Sequence, residues 1–199
     1  MNDFFGFNDW FTAKYLIKSS QRFHSFKAAL NIILQRGFGN IVETGTTRMV
    51  DDWGAGMSTY LFGDFAKHYG KHVWTVDILS SAIEICKKVT EEFKDQITYT
   101  VGDSVKFLES FESQIDLLYL DSMDCPIEVQ ADSPDLLASQ NHQLAELKAA
   151  WEKLSYHPVI LLDDNWFSNG GKAKLSKEFL QQKDYLCLMD YQQSLWIKK

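Results

Sequence analysis

Val159, Ile160, Leu161 and Leu162 are apolar without a break and run straight into Asp163, Asp164 and Asn165. A strand with one wet face alternates apolar and polar positions, so an unbroken apolar run must be covered on both faces, as strands are in a parallel sheet. Such a strand needs helices above and below it, which makes a layered α/β fold the first expectation. The abrupt polar ending constrains the chain further. In open α/β sheets ligands sit beyond the carboxyl ends of the strands. Adjacent oxygen donors there suit either a helix N-cap or a divalent cation. This stretch alone does not choose between them.

The rest of the chain repeats the pattern. Short β-like runs at Ile41–Val42, Val73–Val76, Ile97–Val101 and Ile115–Leu120 alternate with helical patterns at Ser58–Tyr69, Ser81–Phe93, Val105–Phe111, Leu136–Leu154 and Lys172–Gln182. Alternation of this kind implies a parallel sheet with right-handed crossovers. Two closing runs, Tyr185–Tyr191 and Leu195–Ile197, flank Gln192-Gln193 and read as a hairpin that adds an antiparallel strand. Residues 1–39 form a helical N-terminal extension, and residues 40–199 carry the sheet. In the extension, Trp10, Phe11, Lys14, Tyr15, Ile17 and Lys18 suggest one amphipathic piece. Ser20 is the expected cap of a second, carrying Phe23, Phe26, Leu30, Ile33 and Leu34 at helical spacing and ended by Gly37 and Gly39. The aromatic cluster of Phe4, Phe5, Phe7, Trp10 and Phe11 fits packing against the domain, a lid over a substrate, or a homodimer contact.

Composition narrows the partners. With 199 residues and no Pro/Gly/Ser linker, a single domain overall is expected. A net charge of -7 argues against a nucleic-acid backbone or an anionic membrane as the main partner. Cys86, Cys125 and Cys187 are odd in number and lack CxxC spacing, which fits free thiols in a reducing compartment. The N-terminus has no basic region followed by a cleavage site, and no apolar run approaches the roughly 20 residues of a membrane span. A cytoplasmic location is the expectation.

The strand ends carry Glu43, Asp77, Asp103, Asp121 and the Asp163-Asp164-Asn165 cluster. One such residue is ordinarily a helix cap, but like charges gathered on one edge repel and ask for another explanation. The first loop runs Glu43-Thr44-Gly45-Thr46-Thr47-Arg48 and leads to Gly54-Ala55-Gly56-Met57-Ser58-Thr59. Its glycines let a ligand approach the backbone, and the following helix N-terminus attracts an anion. The spacing is not G-x-G-x-x-G, which disfavours a dinucleotide pyrophosphate. Asp77, ending the second strand, can accept from both hydroxyls of a ribose. Asp103-Ser104, after the third, can meet an adenine edge. The ordered set favours a nucleoside ligand.

Val42-Glu43-Thr44-Gly45-Thr46 with Gly56-Met57-Ser58-Thr59, then Val76-Asp77, Gly102-Asp103-Ser104, Tyr119-Leu120-Asp121 and the closing hairpin resemble, in that order, a class I S-adenosylmethionine-dependent methyltransferase. The likeness runs from about residue 40 to the end. Asp121 with Asp163-Asp164-Asn165 is similar to the metal-dependent small-molecule O-methyltransferases of the catechol and macrolide-sugar types. The resemblance implies a Rossmann-like three-layer α/β sandwich with a mostly parallel seven-stranded sheet. It implies S-adenosyl-L-methionine held by Glu43, Gly45, Thr46, Gly56, Ser58, Asp77, Asp103 and Ser104. Glu43 and Gly45 would lie beside the methionine part, Asp77 at the ribose, Asp103 and Ser104 near the adenine. It also implies a divalent metal, magnesium by type, on Asp121, Asp164 and Asn165, with Asp163 as an alternative ligand. The ion would lower the pKa of an acceptor hydroxyl before methyl transfer.

Two departures stand out. Residues 48–53 look inserted into the glycine loop, and the segment Asp121-Ser122-Met123-Asp124-Cys125-Pro126 lacks the lysine base of the catechol type. His142, expected to open a helix, is the candidate general base, with Asp124 second or as a further metal ligand. Trp166, Phe167 and Trp53 are candidate walls for a small-molecule acceptor, or simply core or rim. The rival readings are another metal-dependent enzyme on the same fold, such as a hydroxylase, and a cofactor-binding protein without catalysis. A nicotinamide dehydrogenase is disfavoured by the missing glycine motif.

Overall fold

The computed structural model describes residues 4–54, 57–127 and 130–199. Gly56 and the side chains of Phe4 and Phe5 lie outside the described set. Helix α1 (Phe4–Tyr15) and α2 (Phe23–Gln35) precede β1 (Asn40–Thr44). Then follow α3 (Ser58–Tyr69), β2 (His72–Asp77), α4 (Ser80–Val89), β3 (Ile97–Val101), α5 (Ser104–Ser110), β4 (Ile115–Leu120), α6 (Pro134–Ala150), β5 (Leu154–Leu162), α7 (Lys174–Gln181), β6 (Tyr185–Asp190) and β7 (Ser194–Lys198). The strands form a seven-stranded sheet in the order β3-β2-β1-β4-β5-β7-β6. Strands β1 to β5 pair in parallel, while β7 pairs antiparallel with both β5 and β6. This is the expected Rossmann-like α/β architecture with its antiparallel closing strands.

Both faces of the sheet are covered, for the reason the apolar run in β5 required. Ile41, Leu117, Tyr119, Val159 and Leu161 point into a layer with Phe7, Phe11, Phe26, Leu30 and Phe62 from α1, α2 and α3. Val42, Leu118, Leu120, Ile160 and Leu162 point the other way, against Leu108, Leu147 and Leu180 from α5, α6 and α7. Neighbouring residues alternate between the layers because successive strand side chains face opposite ways. Each fully buried side chain of this size stabilises by roughly 1.5–3 kcal/mol. The aromatic N-terminus is part of this packing: Phe7 meets Phe65 edge-on at 5.9 Å, and Phe11 lies 5.0 Å from Tyr15.

Register decides which residues meet at the edge. Thr44 pairs with Val76 on one side and Leu120 on the other, and Leu120 pairs with Leu162. The next residues, Asp77, Gly45, Asp121 and Asp163, therefore leave the sheet side by side. Gly45 passes so close to β4 that a Cβ there would stand 2.4 Å from the Asp121 carbonyl oxygen, and its φ is +80°. The glycine is required by chain packing.

Local expectations failed where tertiary packing outweighed local signals. Ser20 caps no helix; with φ 46° it lies inside a short 3-10 turn, Ser20–Arg22, before α2. The helix from residue 81 starts one residue earlier, stops at Val89, and gives way to a 3-10 segment, Glu91–Gln96. β5 is longer than its apolar half, beginning at Leu154. His142 does not open a helix but lies in the middle of α6, which Pro134 starts.

Gly171 has φ +54°, and a Cβ on it would sit 1.7 Å from the Asp164 carbonyl oxygen. Gly171→Ala is expected to cost on the order of 3 kcal/mol through steric strain and displaced backbone. A fall in the urea midpoint at unchanged slope would show it, and a midpoint within error of wild type would refute this account.

Candidate functional site

The first loop is held from beneath by Glu43. It has no exposed surface. Ser58 Oγ donates to its Oε1 at 2.5 Å, and Thr59 Oγ1 and Thr75 Oγ1 donate to Oε2 at 2.6 and 2.9 Å. Burial pushes the carboxyl up to about 7, against the pull of these hydroxyls toward the ionised form. Glu43 thus ties β1, β2 and the start of α3 together. Thr46 continues the link: its amide donates to Asp77 Oδ2 at 3.3 Å, and its hydroxyl lies 3.2 Å from that of Thr59.

Beyond β2 and β3 opens a cavity of 240 Å³ lined by Asp77, Gly102, Asp103, Ser104, Ser122, Met123 and His142. Asp77 is buried and receives the Leu79 amide on Oδ1 at 2.8 Å. Among the described residues each oxygen accepts a single amide, which leaves acceptor capacity at the cavity wall. Asp103 is exposed and caps α5 by accepting the Lys106 amide at 2.9 Å, so the ordinary cap reading holds for it while it also borders the cavity. His142 Nε2 lies 3.1 Å from both Ser104 Oγ and Ser122 Oγ. Glu146 Oε1 stands 3.4 Å from the same nitrogen and accepts from Ser122 Oγ at 2.5 Å. Hydrogen bonding to Glu146 holds His142 above the usual imidazole range. These contacts set His142 against the 240 Å³ cavity.

A second cavity, of 320 Å³, lies across the carboxyl end of β4, with Arg22, Arg48, Asp121, Asp124, Asp164 and Trp166 among its walls. Trp166 is half exposed and tilts against Phe167 at 5.3 Å. Asp124 is gripped by Arg48 through two bonds of 3.0 and 2.8 Å, which hold its carboxyl below the usual range. Through Arg48 the inserted residues 48–53 reach the post-β4 loop. Trp53 packs between Tyr15 and Tyr60 at 5.8 and 5.7 Å, on the helical side. Burial pushes the Cys125 thiol up, so it is not an activated nucleophile.

Between the cavities stands a charge network. Lys172, 1% exposed, donates to Asp121 Oδ1 at 2.6 Å and Met123 O at 3.2 Å, and lies 3.0 Å from Asp164 Oδ2. Arg22 Nε donates to both oxygens of Asp163, at 2.8 and 3.1 Å, and its Nη2 is 3.6 Å from Asp164. Tyr119 donates its hydroxyl to Asp163 and also reaches Asp121 Oδ2 at 3.1 Å. Burial raises Asp121 to about 7, Lys172 opposing it; burial also raises Asp164. For Asp163 burial is the largest influence and acts upward, but Arg22, Lys172 and the Tyr119 hydroxyl together outweigh it and the net direction is down.

A divalent ion needs converging oxygens with free lone pairs. Asn165 does not converge: its Oδ1 accepts from Lys177 at 2.9 Å, and its Nδ2 donates to Asp190 Oδ1 and Tyr191 O at 2.6 and 2.7 Å. Asp121, Asp163 and Asp164 are each engaged by the chain's own cations. Among the described residues no group of three or more His, Cys, Asp or Glu side chains is arranged to hold a metal ion. The residues expected to bind magnesium do not fit it in this arrangement.

Sequence reasoning overlooked Arg22, Lys172, Tyr119 and Gln193, which donates to Asp163 at 2.9 Å. One signal was available. Several carboxylates on one buried edge demand cations, and Lys172 directly follows the glycine pair at the start of the nearest helical pattern.

Comparison with known proteins agrees with this fold. The SAH-bound methyltransferase PaMTH1 of Podospora anserina is 14% identical, with 98% of this chain and 86% of that one covered and a TM-score of 0.63. The O-methyltransferase NovP is 13% identical over 88% of this chain and 78% of that one, at a TM-score of 0.61. A putative rRNA-methylase from Clostridium thermocellum is 15% identical over 88% and 97%, at 0.57. At such identities the likeness is one of fold. No curated protein matches the chain. A family model described as a methyltransferase domain matches residues 52–165, more than half of the sequence, and the chain belongs to that methyltransferase family.

Proposed function

We propose that this protein is an S-adenosylmethionine-dependent methyltransferase acting on oxygen in a small-molecule acceptor, as one domain with its N-terminal helices folded onto the sheet. The observation that carries the reading is the pair of cavities sharing the segment after β4: Ser122 and Met123 wall one, Asp121 and Asp124 the other. A donor and an acceptor held on opposite sides of one short segment gain the rate advantage of fixed proximity.

S-adenosylmethionine, when bound, supplies an electrophilic methyl on its sulfonium sulfur. The residues around the 240 Å³ cavity fit its nucleoside part: Asp77 has acceptor capacity for ribose hydroxyls, and Ser104 and His142 offer polar groups to a base edge. His142, first considered as the general base, is better used there. Asp121 is the better proton acceptor, because it lines the acceptor cavity and burial raises its carboxyl to about 7 even against its ion pair with Lys172, whereas Arg48 holds Asp124 below the usual range. Trp166 offers a ring face to the acceptor. The net charge of -7 supports a small molecule over RNA. No step here runs through a metal.

Calorimetric titration of S-adenosylhomocysteine tests the assignment. Asp77→Ala should weaken binding by about 10- to 100-fold, the worth of charge-assisted hydrogen bonds. Asp121→Asn should leave that affinity unchanged and lower methyl-transfer turnover by on the order of 100-fold or more. Absence of binding in the wild type would end the methyltransferase reading, and exchanged effects of the two variants would end the assignment of the cavities.

His142 gives a pH readout. Its folded pKa is raised by Glu146, so the protonated pair contributes stability fully present below the unfolded value near about 6.5 and lost as pH rises through the folded value. Glu146→Gln should bring the pKa down, seen by NMR titration of the ring protons. The stability gap between wild type and variant should shrink as pH increases. A gap that widens with pH would contradict the pairing.

A further inference from the structure

The Lys172 ammonium lies among three oxygens, donating to Asp121 Oδ1 at 2.6 Å and to the Met123 carbonyl at 3.2 Å and forming an ion pair with Asp164 Oδ2 at 3.0 Å. The side chain is 1% exposed. Its backbone is fixed on the N-terminal side. Gly171 lies against the Asp164 carbonyl with no room for a Cβ, and Gln140 Nε2 donates to the Gly171 carbonyl at 2.9 Å. A magnesium ion would need oxygens at about 2.0–2.1 Å from its centre in octahedral array. The carboxylates here are spaced for an ammonium, and Asn165 is turned away to Lys177 and Asp190. A divalent ion could enter only by expelling a buried lysine from its own salt bridges.

We propose that Lys172 is the resident cation of this site, seated between Asp121 and Asp164 where a divalent ion would have to bind, so that the protein works without one. The claim rests on the methyltransferase reading for what the site does, but its geometry stands apart from that reading. With Arg22 on Asp163, the chain brings two cations to three carboxylates. Lys172 keeps Asp121 and Asp164 together at the wall of the acceptor cavity, as a positioning residue for both.

The test is titration of Mn2+ into the wild type and into Lys172→Ala, followed by calorimetry and by EPR of free Mn2+. The wild type should show no stoichiometric site, and its Tm should be equal in magnesium and in chelator. Lys172→Ala should gain a 1:1 site at least about tenfold tighter than any wild-type binding, lost again when Asp121→Asn is added. A 1:1 wild-type site removed by Asp164→Asn would overturn the proposal, as would a folded Lys172→Ala that binds no Mn2+. If Lys172→Ala does not fold, the wild-type titration and Tm comparison decide in the same two directions. S-adenosylhomocysteine titrated into the same wild-type sample separates the readings. Its failure to bind counts against the methyltransferase function and leaves the cation result standing.

Discussion

Crowding of carboxylates on one edge of the sheet is the constraint to which the rest of the site answers. Parallel pairing brings Asp77, Asp121 and Asp163 out side by side because Val76, Thr44, Leu120 and Leu162 share one level of the register. Charges that close, in a partly dry setting, are tolerable only with compensation. Two cations supply it, and they come from opposite directions in the chain. Arg22 enters from the turn before α2, and Lys172 from the segment before α7. Removing Arg22 would leave Asp163 without its cation, and removing Lys172 would do the same to Asp121.

This gives the N-terminal helices a second role. Their aromatic side chains complete one face of the core, with Phe26 edge-on to Tyr119 at 5.6 Å. The same packing delivers Arg22 to Asp163 and brings Gln193 to Ser25 and to Asp163. Tyr119 joins the two roles: its ring is core, and its hydroxyl bridges Asp121 and Asp163. Stability of the extension and geometry of the site are therefore linked. The segment after β4 then lies between the two cavities, Ser122 and Met123 lining one and Asp121 and Asp124 the other.

Much of the fold was legible in the residues. The apolar runs Leu117–Leu120 in β4 and Val159–Leu162 in β5 and the helical spacings between strands led to the parallel core of the sheet, and Gln192-Gln193 marked the turn between β6 and β7. Asp77, Asp103 and Ser104 do share a cavity, as their order suggested. His142 was misplaced within its helix: the pattern starting at Leu136 lay close to the observed start at Pro134, two helical turns before His142, yet His142 was expected to open a helix. Glu43 was read as a ligand residue; the structure adds that it accepts from three hydroxyls of α3 and β2. Partners that far away in the chain leave no local mark.

By itself the sequence determined the layered α/β class, the acidic edge and the order of the candidate nucleoside contacts, since each follows from periodicity or from where strands end. Only the tertiary structure decided what those carboxylates face. A row of aspartates at strand ends is equally compatible with a metal ion and with internal cations. The choice depends on whether Arg22 and Lys172, distant in sequence, are packed into the same few ångströms. Packing of helices on the sheet and the tight passage at Gly171 set that distance, and periodicity carries no record of it.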